Sequence, residues 1–417
     1  MVKLSLGSQA PWAYDGAMTT LPNTSQLTAD ELRGTSRLAI EAVLGVTDIV
    51  EAMHSSIAGK APILGTEQSR QARGISGLVY SSVRGITRLV GGGLELAHTL
   101  LPRIPLSQDA QRQREVLLAK LNGVVGDHLE QSANPLAIPL RLRVGGQALI
   151  LTPQELASQL PNAGPRVLLL VHGLCMNDLQ WNREGHDHGV ALADALGYTP
   201  VYLHYNSGRR ISHNGRDLAA LLDQLLAAWP QPVSELVLLG HSMGGLVIRS
   251  ALAQAQAAGQ TWASRVTRSV FLGTPHHGAP LERAGNAFKW LLDSSPYSAP
   301  LGRLGGLRSA GIQDLRYGNI HEQDWADQDP RHAHDTRTNI PLPDHVRCLY
   351  IAASRSPKID RSMHRLRSDG LVPVASALGE QPDENHGHAR EILCQTGHLE
   401  LLNSHHALEI MQRWLSQ

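Results

Sequence analysis

One short segment constrains this chain more than any other. Four apolar residues at 236–239 run into Gly240-His241-Ser242-Met243-Gly244-Gly245, and a helical pattern continues from there to about 257. A buried strand therefore turns into a helix with no spacer, and a serine sits at the corner. Such a turn forces unusual backbone angles on the serine, and side chains two positions to either side would strike neighbouring backbone. The glycines at 240 and 244 remove those side chains. The turn also lifts the hydroxyl clear of the strand ends, where a second molecule can reach it.

The rest of the chain supplies the sheet that this turn requires. Apolar runs at 166–171, 201–205, 266–272 and 346–352 join the one at 236–239, and 390–394 reads as a last strand. Helical periodicity falls between them at 188–196, 215–228, 243–257 and 401–415. Fully apolar strands alternating with helices predict an α/β fold: a mostly parallel central sheet with helices on both faces. Gly145-Gly146 between two short alternating runs at 140–144 and 148–151 predicts a tight hairpin at the start of this domain.

About 70 residues of mixed character separate the runs ending at 272 and starting at 346, too many for a plain connection. They are expected to form an inserted cap at about 279–345, with Trp290, Leu291, Leu292 and Tyr297 as material for an apolar lid. Residues 1–135 read as a separate N-terminal helical region, and 136–417 as the α/β domain. In the first region, Thr28-Ala29-Asp30-Glu31 fits a capping box, and Ile75, Val79, Val83, Ile86, Val90 and Leu94 form one helical face. A further helix is expected over 109–121, with Gly123 as its stop. That region is read as a layer packed on the α/β domain, with peripheral membrane or partner contact near Arg84 and Arg88 as the alternative.

Composition narrows the function. Thirty-seven basic residues balance thirty-seven acidic ones, which argues against a nucleic-acid surface. Cys175, Cys348 and Cys394 are widely spaced and read as free thiols in a reducing compartment. The first twenty residues lack an apolar signal core, and no apolar run reaches 18 residues, so a cytoplasmic location is expected. Gly185-His186-Asp187-His188 and the group His321, His332, His334 and Asp335 contain possible metal ligands, but their spacing is not diagnostic. No metal and no cofactor are expected.

A serine hydroxyl needs a base to become a nucleophile. After a strand–serine–helix turn, the acid and the histidine follow in that order along the chain. Asp369, in Ser368-Asp369-Gly370, comes soon after the run 346–352 and is the candidate acid; Asp383 is the weaker rival. His398 stands between the last strand and the last helix and is the candidate base, ahead of His386, His388, His405 and His406. The negative charge that develops on a carbonyl oxygen needs backbone donors. The amides of Met243 and Leu174 are the candidates. His172 and Gly173 shape the loop that carries Leu174, and His172, Gly173, Trp181 and His241 are taken as the residues nearest a substrate.

With these pieces placed, the chain resembles the bacterial lipase and esterase branch of the α/β hydrolases, and is similar to the PGAP1-like hydrolase domain. The resemblance rests on Val171-His172-Gly173-Leu174, Gly240 to Gly245, Gly273-Thr274-Pro275-His276-His277-Gly278, Ser368-Asp369-Gly370-Leu371-Val372 and Gly397-His398-Leu399, and covers about 140–417. It implies a Ser242–His398–Asp369 triad cleaving a small ester or an acyl lipid through an acyl-enzyme. An acyltransferase would use the same residues.

Overall fold

The computed structural model describes residues 26–27, 104–105, 108–279, 309–326, 337, 340–358, 367–379 and 388–417. The 28–31 capping box, the 75–94 face with Arg84 and Arg88, Trp290 to Tyr297, His332, His334, Asp335, Asp383 and His386 lie outside them.

Strands β1 (Gln26–Leu27) and β2 (Ile104–Pro105) pair antiparallel. Helix α1 (Gln108–Gln131) follows. Then come β3 (Arg141–Val144), β4 (Gln147–Ala148), α2 (Pro153–Gln159), β5 (Arg166–Val171), α3 (His188–Leu196), β6 (Thr199–His204), α4 (Ile211–Ala228), β7 (Glu235–His241) and α5 (Met243–Ala257). Next are β8 (Val266–Leu272), α6 (Ala310–Tyr317), β9 (Arg347–Ser354), α7 (Val374–Ala377), β10 (Ala389–Cys394) and α8 (His405–Leu415). The described residues fall into two compact units. One holds Arg112–His128 and the described residues from Ile138 onward; the other holds β1, β2 and Leu129–Ala137.

The larger unit is built on an eight-stranded sheet in the order β10-β9-β8-β7-β5-β6-β3-β4. Strands β10, β9, β8, β7, β5 and β6 are all parallel; β3 and β4 add an antiparallel hairpin at one edge. Gly145 and Gly146 both take positive φ, 56° and 77°, as a two-residue turn matched to strand twist requires. The hairpin is shorter than its sequence suggested: β4 stops at Ala148 instead of running to 151. There the Ile150 amide turns to the Gln159 side chain, 2.8 Å away, and leaves the ladder.

The apolar runs are buried on both faces because each strand contributes alternate residues to two helix layers. Leu168, Leu170, Val237, Leu239, Val270, Leu272, Leu349 and Ile351 share one core with Leu192 of α3 and Ile410, Met411 and Trp414 of α8. On the other face α4 packs on α5, and α5 on β5, β7 and β8. Strand bounds at 166–171 and 266–272 and helix bounds at 188–196 and 243–257 coincide with the sequence expectation.

Helix α1 corrects one expectation. It does not stop at Gly123 but continues to Gln131, with a kink at Val125 (φ −134°, ψ 19°). Gly123 and Gly126 are there for close approach. A Cβ on Gly123 would lie 2.2 Å from the Cys175 sulfur, and one on Gly126 1.9 Å from the Asn206 Oδ1. Among the described residues, no helix is long and apolar enough to cross a membrane.

Candidate active site

Chain order reverses across β5: its neighbours are β6 on one side and β7 on the other. At such a switch point the connections leave to opposite faces, opening a crevice beyond the carboxyl ends of the two central strands. The loop after β5 begins at His172, and the turn after β7 is Ser242. They touch: a Cβ on Gly173 would lie 3.1 Å from the Ser242 Cβ and 3.2 Å from the His241 Nδ1.

Ser242 has φ 54° and ψ −125°, a region that L-residues rarely occupy. The surrounding backbone leaves it little choice. Its amide donates to Leu272 O at 2.9 Å, and Gly245 N donates to Ser242 O at 3.1 Å. A Cβ on Gly240 would meet the Gly245 Cα at 2.6 Å, one on Gly244 the Val171 O at 2.1 Å, and one on Gly245 the Thr274 Oγ1 at 2.0 Å. Ser242 also caps α5, so the positive end of a 15-residue helix lies at this turn. Gly244→Ala would press on backbone atoms that have no rotamer to yield. It is expected to destabilise the fold by about 3 kcal/mol, the upper end for overpacking, as a fall in the urea midpoint.

His398 and Asp369 meet although 29 residues separate them. His398 Nδ1–H donates to Asp369 Oδ2 at 2.6 Å. Asp369 Oδ1 accepts from the amides of Leu371 (2.9 Å) and Val372 (2.7 Å). One carboxylate oxygen is thus tied to its own loop and the other holds the imidazole. Because the proton on Nδ1 is spoken for, Nε2 of the neutral ring is the nitrogen left to act as a base. The backbones are coupled as well, with His398 N donating to Asp369 O at 3.2 Å and Arg355 Nε to the same oxygen at 3.1 Å. Gly273 (φ 56°) lets the segment after β8 pass the ring; a Cβ there would lie 3.1 Å from the His398 Nδ1.

The buried histidines around this pair are supports. His241 Nε2–H donates to His398 O at 3.2 Å, and the two rings lie 4.8 Å apart. Burial, with His398 close by, holds His241 well below the ordinary imidazole value. His172 Nδ1–H donates to Gly173 O at 2.9 Å, and its ring stacks on Tyr205 at 4.3 Å. Tyr205 in turn donates to His172 O at 2.8 Å. Burial pushes His172 down to about 3. Trp181 lies in the apolar core, edge-on to His241 at 6.4 Å. His172, His241 and Trp181 all stand at 0% exposure, so in this conformation they brace the loop and turn and present no surface to a substrate. Leu174 and Met243 are buried too, and Ser242, His398 and Asp369 are 7%, 5% and 0% exposed.

Several residues with a part in this arrangement escaped the sequence reading. Ser207 Oγ accepts from the Cys175 amide at 3.0 Å. Ser376 Oγ accepts from His277 N at 3.0 Å and donates to Gly278 O at 2.8 Å, tying the loop that bears the acid to the segment after β8. The motif Thr274 to Gly278 was the available signal for the second; the first has no local signature. The His186–His188 cluster is engaged internally. His186 Nε2–H donates to His188 Nδ1 at 2.9 Å, His188 Nε2–H to Leu401 O at 2.8 Å, and Asp187 caps α3. Among the described residues no group of histidine, cysteine or carboxylate ligands is arranged to hold a metal.

Sheet order, serine turn and histidine–acid pair together define an α/β-hydrolase fold. Residues 146–295 match the model of a family described as a domain of unknown function (DUF7379). A comparison with curated proteins finds no match. Among solved structures, the chain is similar to the mature lipase BlEst2 of Bacillus licheniformis, with 20% identity over 60% of this chain and 91% of that one and a TM-score of 0.40. It is similar to the ester hydrolase EH1AB1 from the metagenome of Lake Arreo (14% identity, 67% and 80% covered, TM-score 0.38). A third is the Pyrococcus furiosus esterase Pf2001 (13% identity, 61% and 84% covered, TM-score 0.36). These are likenesses of fold; the functional argument rests on the site.

Proposed function

We propose that this chain is a serine hydrolase of carboxylic esters, acting on acyl lipids or other apolar esters through an acyl-enzyme. The observation that carries the reading is the 2.6 Å bond between His398 Nδ1 and Asp369 Oδ2 at the sheet edge where Ser242 stands on its strained turn. In this reading His398 Nε2 takes the Ser242 proton as Oγ attacks the ester carbonyl. The oxyanion is held by the amides of Met243 and Leu174. His398 returns the proton to the leaving alkoxide, and water repeats the sequence to release the acid. Asp369 keeps its charge throughout and steadies the imidazolium.

The test is turnover of p-nitrophenyl esters of graded acyl length, which also reports the depth of the acyl site. Adding an alcohol and measuring product partition separates hydrolysis from acyl transfer. Asp369→Asn is expected to lower kcat by about 10³- to 10⁴-fold, because an amide at that position favours the wrong imidazole tautomer. An Asp369→Asn variant as active as the parent would overturn the acid assignment.

A further inference from the structure

Helix α1 precedes the strands and helices of the α/β sheet in the chain, yet it grips the loop that carries Leu174. A Cβ on Gly123 would lie 2.2 Å from the Cys175 sulfur and 3.0 Å from the Cys175 Cα and N, so helix and loop are already in contact. Cys175 has φ 60°, the left-handed region that costs a residue with a Cβ about 1–3 kcal/mol and persists only where neighbours over-determine it. Ser207 and helix α1 supply that restraint. The Cys175 amide donates to Ser207 Oγ at 3.0 Å. The Ser207 loop is anchored to the same helix: Asn206 Nδ2 donates to Gly126 O at 2.8 Å, and a Cβ on Gly208 would meet the Asn122 O at 2.1 Å. Farther along, Arg143 Nη1 lies 3.2 Å from both Glu115 of α1 and Asp178, which opens the turn ending the loop. The loop is therefore held in its middle by this helix and at its end through Arg143, which Glu115 of the helix also pairs.

We propose that helix α1 is a working part of the oxyanion hole, with Gly123 and Ser207 as positioning residues that hold Cys175 left-handed and thereby aim the amide of Leu174. This rests on the ester-hydrolase reading. The Leu174 amide belongs to the Gly173–Leu174 peptide, and a chain pinned at Cys175, one residue on, restricts the two torsions at Leu174 that tilt that peptide. A helix pushed outward by one methyl group releases that restraint.

The experiment uses the full chain, with kcat, KM and the affinity for an alkyl boronic acid, whose tetrahedral adduct on Ser242 mimics the transition state. The variants are Gly123→Ala, Ser207→Ala and the double variant Gly123→Ala/Cys175→Ala. Each single variant is expected to lower kcat about 10- to 100-fold with KM unchanged, and to weaken boronate binding by the same factor. The double variant, which removes the sulfur that the new methyl meets, is expected to recover part of the loss. Should Gly123→Ala fail to fold, Ser207→Ala decides. Unchanged kcat in the folded single variants, or a kcat loss with full boronate affinity, overturns the proposal while leaving the hydrolase reading intact. A wild-type chain that neither turns over ester nor binds boronate overturns both.

Discussion

Ser242→Ala is expected to reduce ester turnover by about 10⁴- to 10⁶-fold, to the level set by whatever binding and backbone donors remain. The methyl group occupies the same space as the lost CH₂OH carbon, so the fold should persist, and a fluorophosphonate should label the parent chain once and the variant not at all. Ser242→Gly sharpens the argument. The serine holds φ 54° and ψ −125°, a conformation worth about 1–3 kcal/mol of strain in a residue with a Cβ. Glycine relieves that strain but adds about 0.5–1 kcal/mol of unfolded-state entropy. The net expectation is a gain of about 1 kcal/mol in stability together with complete loss of turnover. Retained turnover in Ser242→Ala would overturn the nucleophile assignment. A Ser242→Gly chain that melts below the parent would overturn the strain argument.

The second large effect is acid unfolding. Among the described residues, His172, His188, His241 and His276 are buried with their imidazoles held below the ordinary value. Burial pushes His172 down to about 3 and His188 to about 4, and holds His241 and His276 well below the ordinary value, His276 with Arg249 beside it. Over the interval between the folded value and about 6.5, each ring binds more protons unfolded than folded. Stability therefore rises with pH across that interval and is lost on acidification. The slope is about 1.4 kcal/mol per pH unit for each histidine. Asp314, raised by burial to about 6 despite Arg210, and Asp187, also raised by burial, act in the opposite sense. The four histidines outnumber the two raised carboxyl groups, and Asp178, lowered with His204 and Arg143 beside it, adds to their side, so stability is expected to fall as the pH drops below about 6. Urea midpoints at pH 7, 6 and 5 check the direction, and His276→Gln should make the midpoint less sensitive to pH. A midpoint that does not move between pH 7 and 5 would show that these rings are hydrated.

The local pieces of the site were legible because they are written in local physics. Glycines at 240 and 244 mark a turn with no room for side chains, and the apolar runs at 166–171 and 266–272 mark strands buried on both faces. The order Ser242, Asp369, His398 could be read because a parallel sheet puts successive loops at one edge. The extent of α1 could not be read. Gly123 looks like a helix stop in sequence, and only the proximity of Cys175 explains why a glycine is needed in mid-helix. Nor could the part of His241, since a histidine's part depends on whether a carbonyl, a ring or water lies beside it. Residue order alone carried the serine turn and the mostly parallel sheet, and offered a candidate acid and base, because periodicity and glycine placement reflect burial and backbone angles residue by residue. Only the tertiary structure decided that His398 and Asp369 bond at 2.6 Å, that Ser207 holds the Cys175 amide and that α1 braces the loop. Those contacts join residues that lie far apart along the chain, and the backbone path that brings them together is a property of the packed whole.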